Sequence, residues 1–516
     1  MSDDTAVPIG RLSADKRWRW DGTTWRPATD GVGTAPVPAW MSLKLRSGAT
    51  WTTVVAVLVV GLIADQFLRA GTVGVGASLT FAAAAAALIF AGRIMRLEAR
   101  LLAAAAVLFG TWLSLRASPW LLVPDIGAAI VLLGVAASVA MRGSVLDLGI
   151  AEGLARGFST ALHGIAGAEF IARPITRSSS RISALAPVMR GLVIAIPIAV
   201  VLAVLLASAD PIFASFFSLS FDFGRLALDV VFVLVGSLVM AGLLRLAAAE
   251  AIDRVDGPTW RLGTTEAVVV LAVLNSIFAA FAIAQAIAAS GTGADTLRSA
   301  GITYADYARS GFFQLLWVAG IALVVLVLFS RVTGFAHRAA RITFLALAEG
   351  AIALTLLIVL VASERLTLYE DAYGFTMLRL YSHVFAGLIA VVFLLLAADL
   401  AGFLPRRRWF VGASAICGLA LLVGLNVANP EAIVVGLNID RANQTHKIDA
   451  QYFAELSSDA TSALLTARSN LDPALWPDVE GVACSGPRTY SPYPAAFNWA
   501  DADAARARHE ACRPAG

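Results

Sequence analysis

Residues 264–289 read TTEAVVVLAVLNSIFAAFAIAQAIAA, twenty-six positions whose only charge is Glu266, near the start. Wound as a helix at about 1.5 Å per residue the stretch is roughly 39 Å long, longer than the ~30 Å hydrocarbon core of a bilayer. A helix that is apolar on every face must be buried in protein or in lipid. The rest of the chain decides between the two, because it is built from further stretches of the same kind.

Working outward with the same criterion gives eleven expected spans, at 50–68, 72–92, 100–116, 119–141, 188–208, 226–249, 264–289, 312–331, 340–363, 378–402 and 408–428. They predict an all-α fold, a polytopic transmembrane helix bundle of about 11 spans. Composition agrees: 59% of the 516 residues are hydrophobic and 15% are charged, with a mean hydropathy of +0.77. A soluble domain carries about 25% charged residues, so an ordinary soluble protein is excluded. The net charge of +3 rests almost wholly on arginine, since Lys16, Lys44 and Lys447 are the only lysines. No basic cluster interleaved with aromatic readers accompanies it, and nucleic acid is not expected as a partner.

Basic residues near span ends are retained in the cytoplasm. With the N-terminus inside, the inner loops hold sixteen arginines, among them Arg93, Arg96, Arg100, Arg261, Arg331 and Arg406 to Arg408, and the outer loops hold six. The expected address is therefore the plasma membrane, N-terminus cytoplasmic and C-terminus extracytoplasmic. The first 49 residues are polar, and the first span lacks the flanks of a cleavable signal, so it reads as an uncleaved anchor.

Five regions follow. Residues 1–49 form a cytoplasmic tail, in which Trp18-Arg19-Trp20-Asp21-Gly22-Thr23-Thr24-Trp25 has the pattern of a small hairpin around Asp-Gly. Two strands alone are marginal in water, so Trp18, Trp20 and Trp25 are candidate partner-binding residues, and 28–41 reads as linker. Residues 50–141 form a four-helix membrane group. The loop 142–187 repeats Leu146, Ile150, Leu154, Phe158, Leu162 and Ile165 at helical spacing, as a helix lying in the inner interface would; a half-span packed into the bundle is the competing structure. Residues 188–428 form a seven-helix core. Residues 429–516 form a polar extracytoplasmic region of two short helices and a Pro-rich tail, where a Cys484–Cys512 disulfide is expected on the oxidising side. Cys417 falls within the last span as a packing residue.

The chain has no P-loop, Gly-x-Ser-x-Gly, His-Glu-x-x-His or dinucleotide fingerprint. Its five histidines are too dispersed for a metal site, and no cofactor is expected. Candidate chemistry is left to polar groups in or beside spans, which are costly to bury without a partner. The first group lies at the expected outer mouth: Asp210, Glu370, Asp371, Arg379, Tyr381 and His383, candidates for a ligand or ion site. Arg379 and His383 share a helix face. The alternative is an interfacial network of ion pairs and aromatics that only joins helices. The second group, Asn275 and Gln285 along the seventh span, lines a pathway or packs against a neighbouring helix; Glu349 and Asp399 stand beside it, the latter within reach of Arg406 to Arg408.

Three phrases, Ala207-Ser208-Ala209-Asp210-Pro211-Ile212-Phe213-Ala214, Tyr369-Glu370-Asp371-Ala372-Tyr373-Gly374 with Leu378-Arg379-Leu380-Tyr381, and Asn429-Pro430-Glu431 with Asn438-Ile439-Asp440-Arg441-Ala442, together resemble a bacterial integral membrane family. It is the domain-of-unknown-function group numbered 4173, related to 4153, and the similarity covers roughly residues 185–470. The tryptophan element resembles short Trp-Asp-Gly…Trp elements of actinobacterial membrane proteins. The resemblance implies a multi-span bacterial membrane protein and carries no activity, substrate or cofactor with it.

Three functions follow as expectations. The leading one is a non-enzymatic envelope scaffold or sensor whose tails bind envelope or cytoplasmic protein partners, with membrane lipid around its spans. The second is a transporter or channel using the outer-mouth cluster. The third is a membrane enzyme acting on a lipid-linked envelope substrate, with Glu370 or Asp371 as base.

Overall fold

Alanine, leucine and valine runs bounded by glycine, proline or a polar turn form helices where hydropathy placed them. The computed structural model describes residues 18–20, 23–27, 44–69, 73–177, 223–250, 260–289, 312–335, 337–404 and 408–512, besides a few isolated positions. The membrane helices are α1 (Trp51–Arg69), α2 (Val75–Phe90), α3 (Leu97–Leu115) and α4 (Pro119–Ser138), then α7 (Phe223–Ala247), α8 (Thr264–Ala289), α9 (Phe312–Val332), α10 (Arg338–Tyr373), α11 (Met377–Leu400) and α12 (Trp409–Ala428). Between the two sets lie α5 (Ile150–Ile165) and α6 (Gly167–Arg177). Among the described residues eight helices are long and apolar enough to cross a membrane, and α1 and α2 are shorter apolar helices. The expected span at 188–208 lies outside the described residues. The protein is thus a multi-pass membrane helix bundle.

Two apolar cores hold it together. The first joins α1 to α4 with α7, through residues such as Leu88, Phe109, Leu133 and Leu244. The second joins α8 to α11 with Phe410 of α12, around Leu271, Phe344 and Phe393.

Helix α5 turns its polar face inward. Leu154 and Ile165 are exposed, whereas Glu152, Arg156, Ser159 and His163 are buried. Arg156 donates to Glu152 at 2.8 Å and to the Ser138 carbonyl at 2.7 Å, so the polar face is neutralised from within as it packs on α4 and α7. The apolar face is left for lipid.

After α12 the chain turns at Asn429, whose positive φ of 53° suits asparagine, and Pro430 opens the next helix at its first position. Five helices follow: α13 (Pro430–Thr445), α14 (Ala450–Phe453), α15 (Thr461–Thr466), α16 (Trp476–Ala483) and α17 (Trp499–Ala511). The region holds more helix than the expected two short ones, because Pro477 and Asn498 start α16 and α17 inside what reads as a Pro-rich tail. Its own core gathers Val435, Phe453, Leu464 and Val479, and the Cys484–Cys512 disulfide joins the end of α16 to the end of α17. We call residues 430–512 the cap.

At the other end of the chain β1 (Trp18–Trp20) and β2 (Trp25–Pro27) pair antiparallel with Trp20 opposite Trp25, the hairpin read from the sequence.

Candidate functional site

The cap is fastened to the bundle through backbone groups that the helix ends leave unsatisfied. Helix α4 begins at Ser118, whose own side chain makes no cap bond. Asp459 of the cap supplies it: its Oδ2 accepts from the amides of Ala117 and Ser118, both at 2.8 Å. Its Oδ1 lies 3.5 Å from Arg116, and a carboxylate at a helix N-terminus is favoured by the helix dipole. Asn498 spans three carbonyls, donating to Val73 at 3.1 Å, Leu113 at 3.3 Å and Arg116 at 2.9 Å. The Val75 amide donates to the Phe497 carbonyl at 2.9 Å. A Cβ on Gly74 would meet that same oxygen at 2.5 Å, which is why the close approach needs glycine.

The second helical group is gripped at the turn between α10 and α11. Gly374 ends α10 with φ of 86°, and Asn438 of α13 takes both polar groups of Phe375, accepting from its amide at 2.9 Å and donating to its carbonyl at 2.8 Å. The Met377 amide donates to the Tyr452 hydroxyl at 2.6 Å, and Arg441 donates to the Asp371 carbonyl at 3.2 Å.

Against this frame the sequence candidates divide. His383 Nε2 meets Glu370 Oε2 at 3.0 Å, and Glu370 is 3% exposed, its Oε1 without a partner among the described residues. Arg379 donates to the Gly374 carbonyl and lies over the Tyr369 ring at 4.2 Å. Thus Glu370, Arg379 and His383 do share one turn, with His383 rather than Arg379 on the carboxylate. Asp371 is exposed, so only its carbonyl joins the site. Tyr381 leaves the group for α4, its ring 5.1 Å from Trp120 and its hydroxyl buried without a partner among the described residues. Asp210 lies outside the described residues. Asn275 donates to Leu347 of α10 at 2.9 Å, and Gln285 accepts from Arg365 at 3.0 Å, so both candidates along α8 face α10. Asp399 pairs with Arg331 at 2.7 Å.

A further buried polar cluster was not read from the sequence. Asp125 of α4 is fully buried, accepting from Asn426 of α12 at 2.9 Å, while its Oδ2 and Asn426 Oδ1 have no hydrogen-bond partner among the described residues. Nearby Glu431 is 2% exposed and accepts from the Ser457 amide and hydroxyl, each at 2.8 Å. Burial pushes its carboxyl above the usual range and the Asp459 charge adds to this, while the Ser457 bonds oppose it. The available signal was a lone Asp following Pro124 inside an apolar run, and Asn429-Pro430-Glu431 at a span end. A cavity of about 420 Å³ opens at this seam, lined by Ser457, Ser458, Asn498, Asp501 and Arg508 among others. Among the described residues no group of three or more His, Cys, Asp or Glu side chains has the arrangement to hold a metal.

Fold and site together define a multi-pass membrane protein with a helical cap clamped on one end of its bundle. The chain matches the model of a domain of unknown function, DUF4153, over residues 52–467, and belongs to that family. The match reaches further toward the N-terminus than the phrases that carry the resemblance and takes in the first helical group. Comparison with curated proteins and with solved structures gave no match.

Proposed function

We propose that the protein is a non-enzymatic scaffold or sensor of a bacterial plasma membrane, with a cytoplasmic Trp hairpin and an extracytoplasmic cap as its partner-binding tails. The observation that carries this reading is the cap's grip on both helical groups, through Asp459 and Asn498 on one and Asn438 and Tyr452 on the other. A partner or small polar ligand that displaces the cap, for instance at the seam cavity, shifts helix ends of both groups at once. The arginine bias supports the orientation, and a disulfide in the cap suits an oxidising compartment. The test is genetic. Removal of residues 430–516 and, separately, of residues 1–40 is expected to abolish the same cellular response, and two truncations without phenotype refute the reading.

One observation favours transport as a second reading: the fully buried Asp125, with an oxygen beside Asn426 that has no partner among the described residues. Ionisable groups at membrane depth mark ion or proton paths in many transporters. Flux in proteoliposomes that Asp125→Asn abolishes establishes this reading in place of the first.

A further inference from the structure

At the end of the bundle opposite the cap, a groove of about 790 Å³ runs between α5, α9 and α12. Its walls are aliphatic and open to the membrane: Leu154 is 72% exposed, Val324 64% and Leu328 45%. Exposed aliphatic surface of that kind on a spanning helix is satisfied by acyl chains. Its rim is cationic, with Arg261, Arg331 and Arg408 among the lining and no carboxylate among the described lining residues.

Hydrogen bonds to backbone carbonyls hold two of these arginines in place. Arg261 gives one N–H to the Arg331 carbonyl at 2.8 Å, and Arg408 gives one to the Val255 carbonyl at 3.2 Å. Arg331 has a carboxylate on its guanidinium, Asp399 at 2.7 Å. Asp147 accepts from the Arg408 backbone amide at 2.7 Å. Among the described lining residues the groove thus presents three guanidiniums, and Arg406 and Arg407 precede Arg408 in the chain. A guanidinium presents paired donors that match phosphate oxygens, and basic recesses between membrane helices are suited to anionic headgroups.

We propose that this groove binds an anionic phospholipid of the adjoining leaflet, its acyl chain along Val324 and Leu328 and its phosphate at the arginine rim. The volume falls in the range of small-molecule sites, and the combination of aliphatic wall and cationic rim fits an amphiphile better than a free anion. Binding would tie α5, which crosses the bundle end through its polar face, to α9 and α12 of the second core.

The test uses full-length protein purified in neutral detergent and titrated with phosphatidylglycerol, phosphatidylcholine or sn-glycerol 3-phosphate, read by native mass spectrometry and by thermal shift. Phosphatidylglycerol is expected to be retained and to raise the melting temperature, the other two not. Arg261→Gln removes one rim charge at an exposed residue and should weaken retention about fivefold, Arg261→Gln with Arg408→Gln about twenty-five-fold, at ~1 kcal/mol per arginine; Arg261→Lys restores most of it. Each variant's melting temperature in lipid-free detergent reports whether it is folded. Equal retention of phosphatidylcholine, retention unchanged in Arg261→Gln, or the same shift from sn-glycerol 3-phosphate overturns the proposal.

Discussion

Replacing Asp459 with alanine isolates the cap's hold on the first helical group. In the native protein its Oδ2 accepts from the Ala117 and Ser118 amides at 2.8 Å each, and Ser118 is fully buried. Alanine leaves both donors without an acceptor and removes the charge opposite the N-terminus of α4. Hydrogen bonds to charged groups contribute roughly 1.5–3 kcal/mol each. Taking the lower figure twice gives a loss of about 3 kcal/mol, or roughly a hundredfold or more in the population of the opened cap. Asp459→Asn keeps an acceptor and loses the charge, so it should cost about 1 kcal/mol. The assay is amide hydrogen exchange at Ala117 and Ser118 in lipid nanodiscs, where local opening is read directly. Exchange in Asp459→Ala within about threefold of wild type, or Asp459→Asn as severe as Asp459→Ala, refutes the assignment of Asp459 as the cap of α4.

Other perturbations follow from the same geometry. Glu431 has a carboxyl pushed upward in the folded protein, so its favourable contribution is complete below the ordinary glutamate range and is lost as pH rises through the raised value; cap stability measured by limited proteolysis should fall as pH rises above the ordinary glutamate range, and the fall should flatten in Glu431→Gln. Cys484→Ser opens a bridge across a sequence separation of 28, which by loop entropy costs roughly 3–4 kcal/mol; exchange protection of α16 and α17 should drop while the spanning helices keep theirs. Gly374→Ala puts a side chain at φ of 86° and 2.9 Å from Asn438 Oδ1, and should lower the stability of the α10–α11 turn by about 1–2 kcal/mol, visible as a reduced melting temperature.

The bundle was legible because span length and apolarity are one-dimensional properties: 119–141 and 378–402 appear as α4 and α11 with small boundary differences. The Cys484–Cys512 bridge and the tryptophan hairpin were legible for similar reasons, since two cysteines shared one region and Asp-Gly stood between tryptophan-bearing segments; the pairing of Trp20 with Trp25 was not. The site was harder. Glu370, Arg379 and His383 stood out as polar residues near a span end, but their partners depend on the angle between α10 and α11, which spacing does not contain. Asp125 lay within an apolar run and drew no notice without Asn426, 301 positions away. Helix α5 was half legible. The spacing of its leucines and isoleucines separates two faces, but only the Glu152–Arg156 pair, joined at 2.8 Å, reveals that the polar one turns inward.

If the cap moves as one body against both helical groups, loosening it on one must loosen it on the other. Asn438→Ala removes its grip on Phe375 in the second group, and the decisive reading is hydrogen exchange at Val75, Ala117 and Ser118 in the first. Exchange there is predicted to rise at least about tenfold together with that of Phe375 and Met377. A rise confined to Phe375 and Met377 would contradict the single-body cap.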